Sequence, residues 1–403
     1  MVKKFLLLVA ASMLLGSCND EEVSNNVPKL ELTRSTEIVR DQTNAFALKL
    51  FSRTNACSEG NIFLSPLSSE ILLSMVANGA EGETYNEIVK TLGMEGMPYE
   101  EVNSFNQMLL TNLPNIDKKV ELSTANGLWV NKQVKINEDY GKSMRTMYDA
   151  DVRSIDFSSV DQINSWCKKK TKGNIEKLFT ESLPSNTNMV IVNAIYFNGL
   201  WSSPFMKADT KQEVFYNMTG KKNIVPMMHK SFDELLYQEE ELFSIVRIPY
   251  GNKQYNMYVI LPKEQDGLDQ CIDYLSEADH FEETLRDMVP CTVVYSMPKF
   301  DFSYEFDLKE IVRQLGINKV FEPDASLNTI SDIPAYVSVM KQIAHVTVDE
   351  EGTKAQVVSH ASLGDLMALP GMMVTMNVNH PFAFIIIEET TGTILFAGGV
   401  KNI

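Results

Sequence analysis

With 403 residues, 44% of them hydrophobic and 22% charged, the chain can bury a large core and falls outside the disordered class. Its 36 Lys and Arg against 53 Asp and Glu leave a net charge of −17, which opposes docking on phosphate backbones or anionic head groups and argues against nucleic acid as a partner.

In chain order, Lys3 and Lys4 precede an apolar run from Phe5 to Leu15, the order of a secretory signal and too short a run to span a bilayer. Leu15-Gly16-Ser17-Cys18 then resembles the lipobox of bacterial lipoproteins. The resemblance implies that residues 1–17 are a removed signal peptide and that Cys18 carries the lipid. Asn19-Asp20-Glu21-Glu22 is either a solvated linker or, by its likeness to the signals of some Gram-negative lipoproteins, a surface-export signal. Residues 18–35 read as the lipidated cysteine and a flexible acidic tether. The expected location is therefore the outer membrane, on its periplasmic or outward face, with acyl chains as the sole membrane contact.

From Thr36 a helical stripe of Ile38, Val39, Ala45, Phe46, Leu48, Leu50 and Phe51 follows a Ser35 or Thr36 cap. Further helices are predicted at 67–78, 83–92, 99–113, 138–148 and 160–179. Strands rich in Val, Ile, Tyr and Phe are predicted at 120–130, 189–197, 243–249, 255–261 and 291–297. The last 60 or so residues are mostly extended, at 336–349, 373–378, 382–388 and 394–400, with a turn at Glu389-Thr390-Thr391-Gly392. No repeat or Pro/Gly-rich linker divides 36–403, so one large α+β domain is expected. Cys57, Cys167, Cys271 and Cys291 are scattered without CxxC spacing; disulfides are open to an exported chain, but buried free thiols are the favoured reading.

The chain has no GxSxG, HExxH, Walker or GxGxxG motif, and His229, His280, His345, His360 and His380 are far apart in sequence. No cofactor, metal site or enzymatic activity is expected, although missing local motifs leave open a hydrolase assembled from distant residues.

Asn61-Ile62-Phe63-Leu64-Ser65-Pro66-Leu67-Ser68, Gly79-Ala80-Glu81-Gly82-Glu83-Thr84, Asn164-Ser165-Trp166, Thr171-Lys172-Gly173-Asn174-Ile175, Asn193-Ala194-Ile195-Tyr196-Phe197-Asn198-Gly199-Leu200-Trp201, His380-Pro381-Phe382-Ala383-Phe384 and Leu395-Phe396-Ala397-Gly398-Gly399 together resemble the serpin family, in the family's order. The resemblance implies the serpin fold, with a large central mixed sheet, smaller sheets, about eight or nine helices and an exposed reactive-centre loop. It also implies that Ser65, Ser68 and Asn193 lie under the middle of the main sheet, where it opens, and that Trp201 is an aromatic at its top. Gln342 stands where many members carry a histidine.

Val348-Asp349-Glu350-Glu351-Gly352-Thr353-Lys354-Ala355 resembles the serpin hinge, so Glu350, Glu351, Gly352, Thr353 and Ala355 are hinge candidates, with the loop at about 350–375. From Thr353 onward, alternate residues Thr353, Ala355, Val357, Ser359 and Ala361 are small and mostly apolar, the pattern of a strand buried on one face. The family implies that a peptidase cuts the loop as substrate and that the freed segment then enters the central sheet, with Thr353 leaving solvent first. Family spacing puts the scissile bond at Leu366–Met367, with Met367–Ala368 and Leu369–Pro370 as neighbours. The expected partner of this monomer is an elastase-like, chymotrypsin-like or papain-like peptidase. Gln356-Val357-Val358 departs from the usual small residues and keeps a non-inhibitory binding role as the alternative.

Overall fold

The protein is described from a computed structural model that covers residues 30–173, 175–277, 279–353 and 372–403. Helix α1 (Arg34–Ala56) begins where Thr33 accepts the Thr36 amide and Thr36 reaches back to the Thr33 amide, so the cap lies earlier than the expected Ser35 or Thr36. Helix α2 (Pro66–Ala77) starts behind Ser65, whose hydroxyl accepts the Ser68 amide, and Pro66 presets the first turn. Every residue of α2 is buried. Helices α3 (Gly82–Thr91), α4 (Tyr99–Asn112) and α5 (Glu138–Tyr148) fall where the periodicity places them.

Helix α6 (Asp161–Lys170) ends well before the expected residue 179. Lys172 and Gly173 take φ of 52° and 85°, and a right-handed helix cannot continue through them. Three short helices escaped the pattern reading: α7 (Leu268–Ser276), α8 (His280–Arg286) and α9 (Leu308–Gln314). Among the described residues no helix is long and apolar enough to cross a membrane.

The strands are β1 (Ile62–Leu64), β2 (Val120–Asn131), β3 (Ala150–Ile155), β4 (Met189–Leu200), β5 (Lys211–Tyr216), β6 (Lys222–Glu239), β7 (Phe243–Pro249), β8 (Tyr255–Pro262), β9 (Val289–Pro298), β10 (Phe300–Asp307), β11 (Val337–Val348), β12 (Gly352–Thr353), β13 (Met373–Asn377), β14 (Phe382–Glu388) and β15 (Thr393–Val400). A nine-stranded sheet runs β1-β15-β14-β8-β7-β6-β9-β13 with β5 paired to β6, and a six-stranded sheet runs β10-β11-β4-β2-β3 with β12 paired to β4. Both are mixed, because β13 is parallel to β9, and β11 and β3 are parallel to their neighbours β4 and β2.

Strand β4 is the centre of the six-stranded sheet and is covered on both faces. Met189, Ile191, Ile195 and Phe197 enter the main core with α2, whereas Val190, Val192 and Ala194 face a second cluster formed with Ile163, Trp166 and Cys167 of α6. Trp166 meets Trp129 of β2 edge to face at 4.8 Å, so α6 lies across the outer face of this sheet.

Candidate functional site: the hinge and the slot beneath it

Strand β11 ends at Val348, and the chain reverses in a turn built by Asp349. Its carboxylate accepts the Glu351 and Gly352 amides at 2.8 and 3.3 Å, and its own amide donates to the Gly352 carbonyl at 2.8 Å. Gly352 takes φ of 151°, and a Cβ there would stand 2.1 Å from the Gly199 carbonyl, so only glycine fits. The reversed chain then pairs antiparallel with β4, Gly352 on Leu200 and Thr353 on Gly199.

Side chains and amides from three other segments hold this turn. Trp201 donates its backbone N–H to the Glu351 carbonyl at 2.9 Å and its ring Nε1–H to the Asp349 carbonyl at 3.0 Å. The Trp201 ring stacks on Tyr250 at 4.4 Å. The Phe205 amide donates to the Glu350 carbonyl at 2.8 Å, and Lys207 pairs with Glu351 at 2.7 Å. The buried Glu350 carboxylate is reached by Lys299 Nζ at 2.7 Å and by the Thr210 hydroxyl at 2.8 Å. Burial alone would raise this carboxyl, but the donors outweigh it and hold the group below the ordinary carboxylate range.

Thr353 is only 1% exposed, and its hydroxyl shares a 2.8 Å hydrogen bond with the buried Tyr250 phenol. The solvated starting position expected for Thr353 is thus corrected: the segment has already taken its first two ladder positions.

Below β12, β11 and β4 pair directly from His345–Tyr196 downward. In the middle of that seam Gln342 and Asn193 are register partners, both fully buried, yet each bonds to its own side. Gln342 Oε1 accepts the Ser65 amide at 2.7 Å, and its Nε2 donates to the Ser65 carbonyl at 2.9 Å and to Ser69 Oγ at 3.2 Å. Ser65 Oγ donates to the Leu395 carbonyl at 2.7 Å, and Ser68 lies 3.1 Å from it. Asn193 Nδ2 donates instead to Asn126 Oδ1 at 3.0 Å, and Asn126 Nδ2 donates to the Tyr148 carbonyl at 3.0 Å. Gln342 therefore fastens β11 to α2, and Asn193 fastens β4 to β2 and the end of α5.

The profile of the family described as Serpin (serine protease inhibitor) matches residues 41–403. The chain belongs to the serpin family. Iripin-3 of Ixodes ricinus is 34% identical over 362 residues, covering 85% of this serpin and 89% of that protein. The native structure of tengpin, a thermophilic serpin, superposes with a TM-score of 0.83 at 29% identity, covering 94% of this chain and 96% of that one. Human thyroxine-binding globulin in complex with thyroxine superposes equally well, at a TM-score of 0.83 and 27% identity, covering 91% and 99%. The fold expectation is met, with a mixed six-stranded sheet that ends in the turn at Asp349–Gly352 and nine α-helices among the described residues.

Ala355, Leu366, Met367 and Cys18 lie outside the described residues. Cys167, Cys271 and Cys291 are buried free thiols as read, with burial pushing the first two up to about 12, but Cys57 is exposed. Among the described residues no three His, Cys, Asp or Glu side chains gather as a metal site. Pattern reading missed Lys299, Thr210, Tyr250 and Lys207, whose partners are remote in sequence. It also missed a signal that was legible: Glu70 and Ser74 of α2 and Asn78 at its C-cap recur every fourth residue, a polar stripe on a helix with no exposed face.

Proposed function

We propose that this serpin is a suicide-substrate inhibitor of peptidases with an apolar primary pocket, and that its cut loop enters the six-stranded sheet between β4 and β11. The observation that carries this reading is β12 itself: Gly352 and Thr353 already form antiparallel pairs with Leu200 and Gly199 at the head of that seam. Residues beyond Thr353 have the next ladder positions of β4 ahead of them, from Asn198 toward Asn193.

Entry exchanges one parallel β11–β4 ladder for two antiparallel ones, because the reversed chain runs against both neighbours. A dozen or so new backbone bonds at about 0.5–1.5 kcal/mol each give on the order of 10 kcal/mol, similar to the stability of a whole domain. A peptidase held as an acyl-enzyme at Leu366–Met367 is dragged with the strand, and the distortion of its oxyanion hole stalls deacylation. An apolar residue before the cut bond suits elastase-like, chymotrypsin-like or papain-like partners. Cys18 is the proposed lipid anchor, placing the monomer at the outer membrane, on its periplasmic or outward face, with residues 18–35 as its tether.

Mixing the full chain with elastase, chymotrypsin and papain should give a covalent complex that survives SDS. Cleavage products alone, across a broad panel, would reject inhibition. That outcome would favour the second reading, a non-inhibitory binding protein, which Gln356-Val357-Val358 and the likeness to a thyroxine-bound globulin support.

A further inference from the structure

Helix α2 turns its polar stripe toward α4 and α5. Tyr99 of α4 donates its O–H to Ser74 Oγ at 3.0 Å, and Ser74 in turn donates to Glu70 Oε1 at 2.6 Å. Asn78 Nδ2 donates to Asn103 Oδ1 of α4 at 2.9 Å and to the Tyr148 hydroxyl of α5 at 3.1 Å. Asn106 Nδ2 of α4 donates to the same Glu70 Oε1 at 3.2 Å.

Glu70 and Asn106 are both fully buried, and each retains one orphan acceptor: Glu70 Oε2 and Asn106 Oδ1 have no partner. A carboxylate and a carboxamide joined by one N–H···O bond can turn their remaining oxygens toward each other, where two acceptors repel. One proton removes the conflict, turning the pair into a doubly hydrogen-bonded acid–amide couple.

We propose that Glu70 is held as a neutral carboxylic acid whose O–H donates to Asn106 Oδ1, and that loss of this proton loosens the α2 contact with α4 and α5 that must slip when the sheet opens. The two sides of the contact belong to the two sides of the seam. Gln342 ties α2 to β11 through Ser65, whereas α5 is tied to β3 by Arg145 on the Val152 carbonyl at 3.0 Å and to β2 by Asn126 on the Tyr148 carbonyl at 3.0 Å. Gln107 of α4 donates to the Thr146 carbonyl of α5 at 3.1 Å, which links α4 to α5. Parting β4 from β11 therefore shears α2 against α4 and α5, across the Glu70–Asn106 pair.

The electrostatic setting agrees with this geometry. Burial pushes the Glu70 carboxyl up from 4.5 to about 7, against the opposing hydrogen bonds from Ser74 and Asn106. The titratable groups facing it are Tyr99 of α4 and Tyr148 of α5, both raised by burial and neutral, and no cation contributes to its shift. Because the folded value exceeds the unfolded one, the stabilisation is full below pH about 4.5 and is lost as pH rises through about 7.

The test compares thermal midpoints of the full chain and Glu70→Gln from pH 5.5 to 8.5. The glutamine amide donates to Asn106 Oδ1 without a titrating proton, so the two midpoints should lie closest at pH 5.5 and the wild type should fall several degrees further behind by pH 8.5. Parallel curves overturn the proposal. Should the variant fail to fold, the infrared spectrum of the wild type decides: a protonated carboxylic-acid band at pH 6 that is gone at pH 8.5 supports it, and no such band at pH 6 overturns it. The link to sheet opening rests on the inhibitory reading above. After a nick between 354 and 371, wild type should gain heat resistance several-fold faster at pH 8.5 than at pH 6, and Glu70→Gln at one rate throughout. Equal rates in the wild type overturn that link, whereas no gain at any pH refutes the inhibitory reading and leaves the midpoints to decide on the proton.

Discussion

Thr353 Oγ1 and Tyr250 Oη lie 2.8 Å apart, both out of water, beneath the ring of Trp201 that stacks on Tyr250. The first side chain after the Gly352 turn is therefore already paired with a buried phenol. Thr353→Arg places a guanidinium at a position that is only 1% exposed, at a cost of several kcal/mol for a buried charge. The expected outcome is a folded protein that is cut as an ordinary substrate, with SDS-stable complexes lost. Thr353→Val keeps the shape, strands one phenol at about 1–3 kcal/mol, and should still trap peptidase. Wild-type trapping by the arginine variant would refute the role given to this position.

Gly352→Ala tests the turn before the strand. The added methyl would sit 2.1 Å from the Gly199 carbonyl and 2.7 Å from Leu200 Cα, both backbone, with φ already at 151°. Neither neighbour can yield without breaking β4, so the hinge should leave its two ladder positions. We expect faster limited proteolysis around residues 350–353 and a loss of roughly 1–3 kcal/mol in the uncleaved form. Unchanged proteolysis at the hinge would contradict the pairing of β12 with β4.

How much of this was legible beforehand differs between levels. Helices α2 to α5 and strands β2, β4, β7 and β8 follow from periodicity, because each buries a regular stripe or run. Strand β10 was legible but missed, since Phe300, Phe302, Tyr304 and Phe306 alternate with Asp301, Ser303 and Glu305 at the period of a half-buried edge strand, whereas the 18 residues of β6 alternate too irregularly. At the site, Gly352 and Thr353 were marked by their surroundings in the chain. Their partners were not, because Tyr250, Lys299 and Thr210 meet them only after the sheets pack, and no local pattern encodes a contact of that kind.

The pairing of Lys299 with Glu350 should make hinge anchoring acid-sensitive. Burial acts to raise the Glu350 carboxyl, and the donors from Lys299 and Thr210 more than reverse it, so the folded value is depressed. A depressed carboxyl contributes stability above its unfolded value, near 4.5, and loses it as pH falls through the folded one. Lys299→Met removes the main donor and should lower the thermal midpoint at pH 7 by the equivalent of about 1–3 kcal/mol. Lys299 is 34% exposed, which puts the effect toward the lower end. The gap between variant and wild type should narrow at pH 4; a gap that widens with acid would contradict the ion pair.

Gln342 carries the last test, because it satisfies three groups at once on the buried head of α2: the Ser65 amide, the Ser65 carbonyl and Ser69 Oγ. Gln342→Ala leaves a void and strands the Ser65 amide, for a loss of about 2–5 kcal/mol in the uncleaved form. Gln342→His should recover much of that loss, because a neutral imidazole offers one acceptor for the Ser65 amide and one donor for its carbonyl. Recovery must depend on pH. A protonated ring cannot accept the Ser65 amide and is costly to bury, so the folded value is depressed below about 6.5 and the recovered stability fades as pH falls through that range. Midpoints of Gln342→Ala and Gln342→His at pH 8 and pH 5 give the reading. A histidine variant that gains nothing over alanine at pH 8 would show that Gln342 fills space at the seam and does not fasten β11 to α2.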